Sequence, residues 1–176
     1  TLAHMLSLAQ NAPLTSLADV THAVAGTLEV PVTVQNFDDI GAVYLSIDYD
    51  YAVVQLTGAE PHESLPTMLW GDSDLGTGYH RITLGWYGGG VTLPDGSTIM
   101  TLSFSYQEGN TELVFYDNGP SCEYANGDGQ VLNDVPTFLY YYSGWICGEM
   151  ESPGPVTGAS DVCQGERTVS YSVEPM

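Results

Sequence analysis

The stretch VPVTVQNFDDIGAVYLSIDYD, Val30 to Asp50, holds two strand patterns joined by a polar turn. In the first, Val30, Val32 and Val34 share a face with the preceding Leu28, while Glu29, Pro31 and Thr33 take the other. In the second, Val43, Leu45, Ile47 and Tyr49 alternate with Tyr44, Ser46, Asp48 and Asp50. Successive side chains of a strand point to opposite faces, so period two marks a sheet with one face on a core and one toward solvent. Pro31 has no N–H to donate, which puts its strand at a sheet edge or leaves that residue locally unpaired.

The same period recurs along the chain. VVQLTGAE (Val53–Glu60) reads as a short strand. YHRITLGWYGGG turns Ile82, Leu84 and Trp86 inward and Arg81, Thr83 and Tyr87 outward. LPDGST is a turn in which Asp-Gly supplies the backbone conformation. IMTLSFSY sends Met100, Leu102, Phe104 and Tyr106 inward, and TELVFYD does so with Leu113 and Phe115, leaving Glu112, Val114 and Tyr116 outward. TFLYYYSGWI closes the series. Eight or nine short antiparallel strands separated by turns predict an all-β sandwich. The only helix-like pieces are at the N terminus and at ESLPTML, which Pro66 interrupts; neither is long enough to form a layer.

Charge narrows the function classes. The 176 residues carry 22 carboxylates, two arginines (Arg81 and Arg167) and no lysine, a net charge of −20. Nothing here could neutralise phosphates, so nucleic acid is excluded as a partner, and anionic membrane surfaces with it. No run is apolar enough to insert in a membrane. The acidic residues are spread along the chain, as for a solvated surface, and the field they create favours a basic partner or a salt- or calcium-rich medium.

No catalytic motif emerges. Asp48 and Asp50 share a strand face, but glycoside hydrolysis needs two carboxyls facing each other across a cleft. The serines lack G-x-S-x-G, no glycine-rich loop opens a helix, and His4, His22, His62 and His80 have no ligand spacing. NGDGQVLND (Asn126–Asp134) resembles a calcium loop, but Thr137 stands where an EF-hand needs its bidentate acid. No cofactor is required by any motif, no metal site is assigned, and calcium is the one ion the acidic turns here or at Asp72–Asp74 could take. Of three cysteines, Cys122 and Cys147 fall in the same domain and are the expected disulfide, leaving Cys163 over. Trp70, Trp145 and the Tyr140–Tyr142 run are candidates for a sugar-stacking platform, whereas Trp86 has the inward phase.

AGTLEVPVTVQNFDDIGAVYLSIDYD followed by VVQLTGAE resembles the opening of a cohesin domain. The residues that carry the likeness are Ala25-Gly26, Val30-Pro31-Val32-Thr33-Val34 and Tyr49-Asp50, with LPDGSTIMTLSFSY and TELVFYDNGPSCEYAN matching later strands in order. Many cohesins place Pro after the Tyr-Asp; here Tyr51 stands there. The resemblance implies a jelly-roll sandwich over residues 14–147, exported to the cell surface and binding a dockerin-type protein, itself folded by calcium. In the family the third, fifth, sixth and eighth strands form the binding face. Carried over by phase, this face exposes Tyr44, Ser46, Asp48, Arg81, Thr83, Tyr87, Glu112, Val114 and Tyr116.

Around that sandwich, residues 1–13 read as an arm, the tail of a secretory signal cut near Ala9 or an expression remnant. Residues 148–160, rich in Pro, Gly and Ser, read as a linker. Residues 161–176 resemble the start of an immunoglobulin-like or PKD-like repeat through Cys163-Gln164-Gly165 and Tyr171-Ser172-Val173. They are expected to open a second β domain or to donate a strand to a neighbour. Two further functions stay open: a fibre subunit whose copies pair strands, and a carbohydrate-binding module with polysaccharide as its ligand.

Overall fold

Alternation becomes two stacked sheets in the computed structural model, which describes residues 10–148, 156–158 and 171–173. One sheet runs in the order β11 (Tyr141–Tyr142), β1 (Leu14–Leu17), β3 (Gly26–Gln35), β8 (Ser97–Tyr106), β5 (Val54–Pro61). The other runs β2 (Val20–Ala23), β12 (Gly144–Gly148), β9 (Asn110–Phe115), β4 (Ile40–Asp50), β7 (Tyr79–Val91), β6 (Leu69–Asp74), with β10 (Glu123–Asn126) also paired to β4. The result is the expected β-sandwich of jelly-roll type.

The inward phases meet between the sheets. Val30, Val32 and Val34 of β3 and Met100, Leu102 and Phe104 of β8 face Leu45, Ile47 and Tyr49 of β4 and Ile82 and Leu84 of β7, all fully buried. Trp86 joins them, as its phase requires. Pro31 sits in a central strand, not at an edge. Its ring replaces an N–H one residue past the last β1–β3 pair, Leu17 with Val32, where β1 has ended, and its carbonyl still accepts from Ala18.

The strand count exceeds the expected nine because both terminal segments change sheets midway. The first breaks at Ala18–Asp19 and the last at Ser143, so each contributes a strand to both layers. They pair with each other: β1 with β11 and β2 with β12, in parallel, against the all-antiparallel expectation. The crossing is tight. A Cβ on Gly144 would stand 2.8 Å from the carbonyl oxygens of Leu17 and Ala18, so only glycine fits. Asp19 fixes the bend by accepting a hydrogen bond from the Trp145 N–H at 2.8 Å.

At the N-terminal side, Asn11 bridges to Asn133 and Ala12 is buried, so the arm is attached to the sandwich from there on. ESLPTML forms two turns, closed by Leu65 N–H to His62 and Met68 N–H to Leu65, with Leu65 buried between them. Within the segment expected to be linker, β13 (Val156–Gly158) pairs antiparallel with β14 (Tyr171–Val173) in a separate two-stranded sheet. Cys163 and the remainder of the expected second domain lie outside the described residues.

Candidate binding face

The outer face of the β9-β4-β7-β6 sheet is ruled by cross-strand rows. Residues paired across antiparallel strands share a face, so the register shows which side chains meet. Val114, Asp48, Arg81 and Ser73 form one row. Ser46, Thr83 and Gly71 form the next, and Glu123, Tyr44, Gly85 and Leu69 the one after. Ala125, Ala42 and Tyr87 follow. Beyond Val114, Glu112 pairs with Trp145 of β12. The phases read for Tyr44, Ser46, Asp48, Arg81, Thr83, Tyr87, Glu112 and Val114 therefore converge on one surface, with Tyr116 immediately after β9.

Their availability differs. Tyr87 is 87% exposed and Tyr44 44%. Ser46 is buried, at 3%, although its side chain has the outward phase. Its backbone N–H reaches the Cys122 sulfur and its carbonyl accepts from the Tyr116 N–H. Arg81 and Asp48 satisfy each other. The guanidinium donates through Nε to Oδ1 at 2.6 Å and through Nη2 to Oδ2 at 2.8 Å, and its carbon lies 3.4 Å above the Tyr116 ring centroid. A bidentate pair stacked on an aromatic ring is preorganised and neutral, so it lends the face shape more than charge.

Sequence phase alone missed part of this surface. LWGDSD does not alternate in hydrophobicity, yet it forms β6, whose Leu69, at 74% exposure, lies on the outer face. The signal was in the turn. Asp74 and His80 close a hairpin in which Gly76 and Gly78 take positive φ, and β7 then holds β6 in register. Gly85 was another omission, and Trp145, weighed only for sugar stacking, pairs with Glu112 at the margin of this face.

The expected Cys122–Cys147 disulfide is absent; both are free thiols. The Cys122 sulfur contacts the Tyr116 carbonyl, whereas Cys147 pairs with Asn110 at the other end of β9. Six residues of extended chain separate those two positions by about 20 Å, against the ~7 Å that a bridge tolerates between Cα atoms. Burial pushes the Cys122 thiol up to about 12, so it is a packing group and not a nucleophile.

The aromatic candidates for sugar stacking are scattered. Trp70 is on edge strand β6 and Trp145 on β12, with three strands between them, about 19 Å at the ordinary strand spacing. Tyr141 is buried and donates to Asp134, in the opposite sheet. The carboxylates weighed for catalysis and metal binding are also engaged: Asp48 by Arg81, and Asp50 by the Ala52 N–H. Asn126 Oδ1 accepts from the N–H groups of Asp128 and Gln130, closing that loop on itself. Asp72 receives the Tyr49 hydroxyl and faces His80 Nδ1 at 3.0 Å.

No protein-family model and no curated protein matches the sequence. Solved structures do match. A non-cellulosomal cohesin from Archaeoglobus fulgidus is 15% identical, with 79% of this chain and 92% of that one covered at a TM-score of 0.60. The solution structure of CaCohA2 from Clostridium acetobutylicum is 15% identical, covering 81% and 94% at 0.62. In a type I cohesin–dockerin complex from Clostridium thermocellum, Coh-OlpC with Doc435, the matching chain is 14% identical, covering 81% and 97% at 0.62. At such identities the likeness is one of fold, and the fold of this sandwich is cohesin-like.

Proposed function

We propose that this chain is a non-catalytic, extracellular protein-binding module that seats a dockerin-type partner on the outer face of β9-β4-β7-β6. The observation that supports it is the convergence in register of Tyr44, Thr83, Tyr87, Glu112 and Val114 beside the fixed Arg81–Asp48 pair. Exposed tyrosines on a rigid sheet, with small residues between them, suit a protein interface, where rigid aromatics contribute much of the affinity. Solved cohesins of this fold include several in complex with dockerins. The module itself needs no cofactor, and calcium enters through the partner.

Calorimetric titration against a panel of dockerin modules tests this. Binding of at least one is expected, with loss when calcium is chelated and weakening by roughly ten- to thirtyfold, about 1.4–2 kcal/mol, in Tyr87→Ala. A panel with no binder, or a binder indifferent to Tyr87→Glu, overturns the proposal.

A further inference from the structure

Some strand glycines are not required by crowding or by positive φ: Gly58, Gly71, Gly85 and Gly89 would all accept a Cβ. Gly41 and Gly144 are crowded by backbone, where any Cβ would collide. Gly85 is different. It lies mid-strand in β7, its backbone does not enter the positive-φ region, and an added Cβ would meet only the Tyr44 ring, at 4.0 Å. Glycine inside a strand weakens it and packs nothing, so an open one in the middle of a sheet often marks a place where something approaches closely. Gly71, diagonal to it on β6, is equally open.

What the missing side chain leaves is a groove of about 380 Å³. Tyr44 and Leu69 flank Gly85 along their row, and Tyr87 stands two residues further on, all three exposed. Trp86 and Tyr124 also line it, and Glu123 ends the row as its one carboxylate. A cluster of exposed apolar side chains around an empty floor is the surface counterpart of an anchor residue.

Charge decides the occupant. The one arginine among the described residues is bound to Asp48 and stacked on Tyr116, there is no lysine, and the chain carries −20. A second copy of this chain would bring the same charge and be repelled. A sugar ring would need a flat aromatic floor, and the floor here is glycine backbone. We propose that the Gly85 groove receives one apolar side chain from a protein partner whose surrounding surface is basic. This rests on the reading that the face binds a protein, and it identifies the partner's chemistry.

The probe is a synthetic helical peptide with a single leucine flanked by lysines on one face, titrated into isotopically labelled protein and followed by backbone amide shifts. Shifts centred on Tyr44, Leu69, Gly85 and Tyr87 are expected, with affinity falling roughly tenfold from about 50 mM to about 500 mM salt. Gly85→Leu, which the open site accommodates, should abolish binding while leaving the melting temperature unchanged. If that variant misfolds, Leu69→Ser serves, since Leu69 lies outside the core. Absence of binding, shifts elsewhere, or equal binding by peptides with serine for leucine or glutamate for lysine overturns the proposal. A dockerin bound equally by the native chain and Gly85→Leu would retain the protein-binding function and eliminate the groove. A peptide seated in the groove, with no dockerin bound, would do the reverse.

Discussion

Four buried ionisable side chains set how the sandwich responds to alkali. Tyr49, Tyr124, Tyr141 and Cys122 lie in the core. Burial raises all four pKa values, the Cys122 thiol to about 12 and the three phenols further still. Tyr49 and Tyr141 also donate to Asp72 and Asp134, bonds that need the phenolic proton. Above ~9 for the thiol and ~10 for the phenols, the unfolded chain releases protons that the folded chain keeps. The unfolded state then binds fewer protons, so stability is full below those values and falls as pH rises, by about 1.4 kcal/mol per pH unit for each group. Thermal melts should show a steep loss above about pH 10, made shallower by Tyr124→Phe; a midpoint constant from pH 8 to 11 would refute this. The sequence showed the inward phase of Tyr49 without its bond to Asp72, because that partner comes from an edge strand with no alternation of its own. The burial of Ser46 was hidden for a similar reason: Tyr116 and Cys122, which bond its backbone, follow about seventy residues later.

At the scale of elements, legibility followed how strongly each strand buries one face. β3, β4, β7, β8 and β9 carry runs of alternation, and within those runs most inner and outer positions were readable. β6, wholly exposed, is held only through its hairpin with β7. β1, β2, β11 and β12 are short pieces of segments that switch layers, where alternation resets at the crossing and four residues give no period to detect. Leu69 was missed because β6 carries no such alternation, and Gly85 because a glycine has no side chain to assign to a face. The β13–β14 pair, three residues per strand, falls below the size at which a hairpin is stable alone. Deleting residues 152–176 should therefore leave the sandwich folded with its melting temperature unchanged. Unfolding of a monomeric truncated chain would show that the tail belongs to the core.

For the molecule as a whole, a net charge of −20 opposes compaction. Added salt screens that repulsion, the Debye length shrinking from ~10 Å at 0.1 M to ~3 Å at 1 M. The melting temperature should rise over that range, and a flat profile, with no response to calcium either, would rule the effect out. The parallel pairing of the first and last strands has a mechanical consequence. β1 and β11 point the same way, as do β2 and β12. Tension applied at residues 10 and 148 drags the members of each pair in opposite directions along their common axis. The hydrogen bonds joining them lie across that axis and share the load at once instead of unzipping singly. A pull at those two points is thus met in shear at both parallel pairs, one in each sheet.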